Sequence, residues 1–480
     1  MSLRYTILSL VILASSSLCS FAGDIQSSIN RFVNDSALRH GSVGISVVNL
    51  RTGETLGANA PMQSDITAST MKTVTSSTAL NILGKDFTFH TRAITDGEID
   101  NKGHLNGNLI IEGGGDPTLG SRHFPNMPSF VDAIISALQE KNIKQIKGDV
   151  IIDDSLYPYP PVSGFWMLED IPCDYGTGLH ALNFADNIFQ VNLRVTDSGV
   201  VVDSTEPKVS YAMFYDHAKI IHSSDSSLSE TGIMMMLDPD FDSFMLYGNV
   251  VPQDKVFKYT CANPNPTRLL RDSIMSQLER MDIKVKAKEI QAEELGKRTT
   301  ILDYQSPKLS DILLSLLDRS DNMFTEGMLR ALAVNAGKQG TAENGIKVVK
   351  DYWTSQGVDV SGLFMYDGSG LARNNKANAA FFTSMLCAAE KISAPTLSFA
   401  SLMPRIGTKG RGLLTNTSAS GRYALKSGSM SDVQCYVGYF PADEPKYAIA
   451  LLINNYDCSR SRLSSMIESL LVDLMANLDQ

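Results

Sequence analysis

Ser69 and Lys72, in the run Ser69-Thr70-Met71-Lys72, would lie about one turn apart on the same face of a helix. An unassisted serine hydroxyl is a weak nucleophile. A lysine amine held against it can remove its proton, provided burial or a nearby cation keeps that amine neutral, and the chemistry is then nucleophilic acyl transfer. An SxxK run alone arises by chance, and the plain alternative for Lys72 is a solvated helix residue. Two partners follow downstream in the order such a tetrad uses, Ser320-Asp321-Asn322 and then Lys426-Ser427-Gly428. Ser28-Ile29-Asn30 also fits SxN but precedes the nucleophile inside a predicted helix. Lys338-Gln339-Gly340 fits KxG without the central hydroxyl, and Gly113–Asp116 reads as a turn rather than a phosphate loop.

The elements that must position these groups are legible as periodicities. A helix is predicted from 69 to about 83, with Met71, Val74, Thr78 and Ile82 as its buried stripe and Gly84 as its C-cap. Ser69 would open it, where backbone N–H groups lack helical partners and can donate to developing negative charge. Leu309, Ile312, Leu313, Leu316 and Leu317 mark a second helix, and a third runs from 323 to about 334, so that Ser320–Asn322 fall on the connection between them. Residues 25–38 read as a helix and 42–58 as two strands turning at 51–53. Residues 421–430, 434–440 and 447–456 read as three strands, followed by a helix with Leu463, Met466, Ile467, Leu470, Leu471 and Leu474 in register. The two ends of the chain should therefore close one antiparallel five-stranded sheet flanked by helices, an α/β (α+β) fold. The stretch 90–260 between the first two motifs reads as an insertion, divided near 180 into two domains, with 23–89 and 261–480 forming the motif-bearing domain. It holds a strand at 109–112, a helix at 128–141, a strand at 149–153 and a strand-rich stretch from 187 to 252.

The chain has 480 residues, too many for one ordinary core, and a formal net charge of -10 that argues against nucleic acid. No basic run suits an anionic membrane. Arg4, an apolar run over 5–14 and small residues ending at Ala22 predict an export signal cleaved after Ala22, which implies a periplasmic protein without a stable membrane anchor. Cys19 sits in a poor lipobox. Five cysteines remain, Cys173, Cys261, Cys387, Cys435 and Cys458, so at least one is unpaired and no pairing follows from spacing. No metal or cofactor is expected. The seven histidines all fall at or before His222, and neither GxSxG nor HExxH occurs.

Taken together, Ala68–Lys72, Gly107–Leu109 with Gly113–Leu119 (GGGDPTL), 146–155 (IKGDVIIDDS), Ser320–Asn322, Asp367–Leu371 (DGSGL) and Lys426–Ser429 resemble the D-alanyl-D-alanine carboxypeptidases and endopeptidases of the penicillin-binding protein 4 type, class C among the small penicillin-binding proteins. The resemblance covers nearly the whole mature chain. It implies a serine β-lactamase/transpeptidase-like domain with two domains inserted between the SxxK and SxN motifs. It implies, too, a peptidoglycan stem peptide ending in D-Ala-D-Ala as substrate and β-lactam antibiotics as inhibitors. By the same resemblance, Ser69 is the nucleophile and Lys72 its base, Ser320 relays the proton to the leaving amine, and Asn322 holds the substrate amide. Lys426 supplies positive potential, Ser427 binds the terminal carboxylate, and Gly428 belongs to the same motif. The N–H groups of Ser69 and Ser429 form the oxyanion hole, and Arg373 and Asp170 meet the charged end of a diaminopimelate side chain. The third motif departs from the usual KTG by a serine, which keeps the hydroxyl. A β-lactamase or esterase with the same tetrad, and a non-catalytic cell-wall binder, are the rival expectations.

Overall fold

A computed structural model describes residues 24–221, 232–237, 243–290, 296–410 and 412–479. The predicted export signal, 1–22, lies outside the described residues. The chain divides into two compact units, one of residues up to Lys85 with Leu313–Ser320 and Ile346 onward, the other of Asp86–Ile312 and Asp321–Gly345.

In the first unit, strands β1 (Ser42–Asn49), β2 (Thr55–Asn59), β3 (Ala424–Met430), β4 (Val433–Phe440) and β5 (Tyr447–Asn454) form one antiparallel sheet in the order β2-β1-β5-β4-β3. The expected sheet is the one observed, and both of its faces are covered. Along β1 the pleat sends Val43, Ile45 and Val47 into a core shared with Ile25 and Ile29 of the 24–33 helix and Leu463, Ile467, Leu470 and Leu474 of the Arg460–Leu478 helix. Gly44 and Ser46 alternate to the other face, where Gly44 lies against Ala379 and the Ser46 hydroxyl hydrogen-bonds Thr383 at 2.9 Å, both on the Ala379–Ser393 helix. Small and hydroxylic residues on that face let the helix come close. β4 is buried along its whole length.

The predicted first helix ends earlier than expected. The helix covers 24–33, and Ser36–Leu38 form a separate 3-10 turn capped by Asp35, whose side chain accepts from Ala37 N.

The second unit carries a four-stranded sheet in the order Thr299–Gln305, His90–Thr95, Leu109–Glu112, Val150–Asp153, packed on the Phe130–Glu140 and Pro266–Arg280 helices through Leu109, Ile111, Ile134, Leu138, Leu270 and Ile274. A three-stranded antiparallel sheet follows, Gly199–Glu206, Ile188–Thr196, Gln253–Ala262. This unit runs past residue 260, because Thr299–Gln305 pairs antiparallel with His90–Thr95. No helix among the described residues is long and apolar enough to cross a membrane.

Leu451 sits mid-sheet, 1% exposed, between Ile45 and Tyr436. Leu451→Ala should lower unfolding free energy by about 2–5 kcal/mol, the cost of a core cavity left by a leucine truncation, measured by urea titration.

Candidate active site

The helix that follows Ser69 is buried on every side rather than on one stripe. All residues from Met71 to Leu80 are buried in the Met71–Leu83 helix, and only Ile82 of the predicted stripe is half-buried. Most of its hydroxyls find partners: Thr73 and Ser77 donate to carbonyls one turn back, and Thr78 donates to Val74 O at 2.7 Å and accepts from Trp353 Nε1 at 2.8 Å, while the Ser76 hydroxyl has none among the described residues. Gly84 ends the helix with φ 84°, the C-cap geometry expected of it.

Ser69 does not open the α-helix. It lies in a 3-10 turn, Ala68–Thr70, that runs into it, with Ala68 in the left-handed region at φ 44° and the Thr70 hydroxyl tied to Thr67 O at 2.7 Å. The spacing still delivers the expected contact, since Lys72 Nζ donates to Ser69 Oγ at 3.0 Å and to Ser369 O at 2.7 Å. Lys72 is 0% exposed, which removes the solvated-lysine alternative.

Ser369 belongs to the Asp367–Leu371 loop, whose place beside the lysine no sequence argument supplied. The buried Asp367 carboxylate collects Gly370 N, Ala372 N and Asn375 Nδ2 at 2.6–2.7 Å, while Thr75 donates to Gly368 O at 2.7 Å. Gly370 has φ 82°, and a Cβ there would fall 1.9 Å from Ala68 O, so only glycine lets this loop back the Ala68–Thr70 turn. The Asp-Gly-Ser-Gly run was the available signal, because a short acid flanked by glycines marks a folded-back loop.

The third motif lies on edge strand β3, and Gly428 packs against the same turn. A Cβ at 428 would fall 2.6 Å from Thr67 O and 3.0 Å from Ser69 N. Ser427 is half-buried and Ser429 exposed, alternating with buried Lys426 and Gly428. Lys426 Nζ donates to Ser320 Oγ at 2.9 Å and to Ser427 O at 2.7 Å. Ser320 follows the Leu309–Arg319 helix with φ 61°, a left-handed backbone rare for a residue with a side chain. Ser320, Lys426 and Ser427 line one cleft of about 300 Å³. Burial, and after it the positive Lys72 amine, push the Lys426 amine well below the ordinary lysine range, with Asp318 opposing. Ser69, Lys72, Ser320 and Lys426 thus stand in two hydrogen-bonded serine–lysine pairs in the first unit.

Arg373, also in this unit, is exposed and has no hydrogen bond or ion pair among the described residues. Asn322 and Asp170 belong to the second unit. Asn322 is the first residue of the Asn322–Asn335 helix, one position earlier than predicted, because the Asp321 side chain caps it by accepting from Phe324 N at 2.9 Å. Its Nδ2 donates to Tyr175 O at 2.7 Å, and the Tyr175 hydroxyl donates to Asp170 at 3.1 Å.

A covered antiparallel five-stranded sheet flanked by helices is a β-lactamase/transpeptidase-like fold. Residues 25–478 match the D-Ala-D-Ala carboxypeptidase 3 (S13) family, and the chain belongs to it, a family of serine peptidases. It is 24% identical over 457 residues to the D-alanyl-D-alanine carboxypeptidase of Actinomadura sp. (strain R39), covering 90% of this chain and 81% of that one. It is 25% identical over 456 residues to D-alanyl-D-alanine carboxypeptidase DacB of Haemophilus influenzae, covering 92% and 93%. The crystal structure of penicillin binding protein 4 (dacB) from Haemophilus influenzae superposes with a TM-score of 0.77 at 23% identity, over 91% of this chain and 97% of that one, and shares the fold.

A lysine whose pKa is depressed on folding binds fewer protons in the native than in the unfolded state. Its penalty on stability is therefore full below the folded pKa and is relieved as pH rises toward about 10.4, the unfolded value. The stability of the wild type relative to Lys426→Met should rise with pH through that interval, as measured by urea titrations at neutral and mildly alkaline pH. A pH-independent difference would contradict the lowered pKa.

Proposed function

We propose that the chain is an exported serine-type D-Ala-D-Ala carboxypeptidase, with or without DD-endopeptidase action on cross-links, that works on peptidoglycan stem peptides through an acyl-enzyme on Ser69 and is inhibited by penicillin. The observation that carries this reading is the fully buried Lys72 amine 3.0 Å from the Ser69 hydroxyl. Membership in the D-Ala-D-Ala carboxypeptidase family supports the bond attacked, and the relative named a penicillin binding protein supports the inhibitor.

In this reading the Lys72 amine, in its neutral form, takes the Ser69 proton as Oγ attacks the carbonyl between the two D-alanines. The two lysines are coupled, because a proton on either amine disfavours a proton on the other, so the pair can present a neutral amine beside Ser69. The hydrogen bond from Lys426 to Ser320 gives a path by which a proton reaches the departing amine. Backbone N–H groups of Ser69 and Ser429 receive the oxyanion, each such donor contributing about 100-fold to 1,000-fold in rate. Ser427, on the cleft wall beside Lys426, takes the terminal carboxylate. Water then hydrolyses the acyl-enzyme. Asn322 keeps the role its motif implies, holding the substrate amide. Arg373, exposed and unpaired among the described residues, and Asp170 each keep the role the resemblance implies toward the charged end of a diaminopimelate side chain.

Intact-mass measurement after incubation with penicillin should find one stable adduct, mapping to Ser69, and the protein should release D-alanine from a pentapeptide. Rapid penicillin turnover without an adduct would mark a β-lactamase, and absence of any reaction a binding protein. Lys72→Ala should slow acylation by about 100-fold to 10,000-fold, the range for a positioned general base, in stopped-flow or quench assays. A near-normal rate in that variant would take the base role away from Lys72.

A further inference from the structure

The five cysteines of the described chain are thiols, and two of them stand opposite each other. Cys173 and Cys261 form an isolated antiparallel bridge, and the bond flanking it runs from Ala262 N to Pro172 O at 2.9 Å. A ladder bond between the neighbours of a pair, rather than within it, marks the non-hydrogen-bonded kind of antiparallel pair. Its Cα atoms approach to about 4.5 Å and its side chains leave the same face. That spacing lies within the roughly 4.4–6.8 Å that a disulfide bridges. The two sulfurs now point to separate acceptors, Cys173 Sγ to Glu169 O and Cys261 Sγ to Met235 Sδ, each at 3.4 Å. Rotation about χ1 at these short side chains would turn them toward each other. The other three thiols belong to the first unit, where Cys435 faces Gly428 and Leu452 across its strand pairs.

We propose that Cys173 and Cys261 are a modification site, forming a disulfide by exchange with a small external disulfide. The half-exposed Cys173, as thiolate, attacks one sulfur of the external disulfide, forming a mixed disulfide and releasing one thiolate. Buried Cys261 then loses its proton to solvent, attacks Cys173 Sγ and expels the second thiolate, so that two protein thiols are oxidised and one external disulfide is reduced to two thiols. Burial raises both protein thiols, Cys261 to about 12, so the exchange runs faster as pH rises. An exported location would supply such oxidants.

The bond would fix a functional segment. Cys173 lies in a tight stretch where Cys173 N donates to Asp170 O at 3.1 Å and Gly176 N to Cys173 O at 2.9 Å. The same stretch carries Asp170 and the Tyr175 carbonyl that accepts from Asn322 Nδ2. Oxidation would staple it to the Gln253–Ala262 strand, which pairs on its other side with Ile188–Thr196.

The test treats the native full chain with oxidised glutathione at mildly alkaline pH, alkylates the remaining thiols and maps peptides without reduction. The expected result is loss of two thiols and a linked peptide joining 173 to 261. Cys261→Ser should instead accumulate glutathione on Cys173, and Cys173→Ser should leave Cys261 unmodified. Linkage of any other pair, a glutathione adduct as the end state of the wild type, or persistence of both free thiols would overturn the proposal.

Discussion

Two lysine side chains removed from water beside one another are the constraint around which the first unit is organised. An ammonium group loses several kcal/mol of solvation when buried, and a second positive charge nearby raises that cost, so Lys72 and Lys426 cannot both keep their ordinary protonation. The depressed Lys426 amine is the direct expression of this conflict. What makes the arrangement tolerable is that each amine donates to a serine hydroxyl and to a backbone carbonyl. The same desolvation that destabilises the charges favours a neutral amine, the form that can accept a proton.

Keeping those amines dry requires structure on all sides. The Met71–Leu83 helix is buried nearly throughout, and Thr73, Ser77 and Thr78 donate to its own carbonyls. The Asp367–Leu371 loop backs the nucleophile turn with a glycine that alone fits against Ala68, and β3 closes another side with Gly428 against Thr67 and Ser69. Both glycines hold the turn where the amine and hydroxyl meet, so a methyl group at either position would push that turn out of place.

Much of this was legible in advance. The two strands read at 42–58 and the run of three C-terminal strands, each with a helix outside it, predicted the five-stranded sheet. Boundaries slipped where capping decided them: Asp321 starts its helix at Asn322, and Asp35 splits a predicted helix from a 3-10 turn. The reading of the nucleophile helix as one-sided failed because hydroxylic residues pass for a solvent face, whereas Thr73, Ser77 and Thr78 bond back to their own helix and can be buried like apolar groups.

By itself the sequence determined the three motifs, their order, the fold class and the serine–lysine spacing, since all of these follow from short-range periodicity and i, i+3 geometry. Only the tertiary structure decided that both amines are dry, that Ser320 takes a left-handed backbone to reach Lys426, that Ser369 offers its carbonyl to Lys72, and that Cys173 faces Cys261. Those facts depend on which distant segments share a boundary and what water is excluded between them, and no local pattern of residues encodes a dielectric or a contact made across the fold.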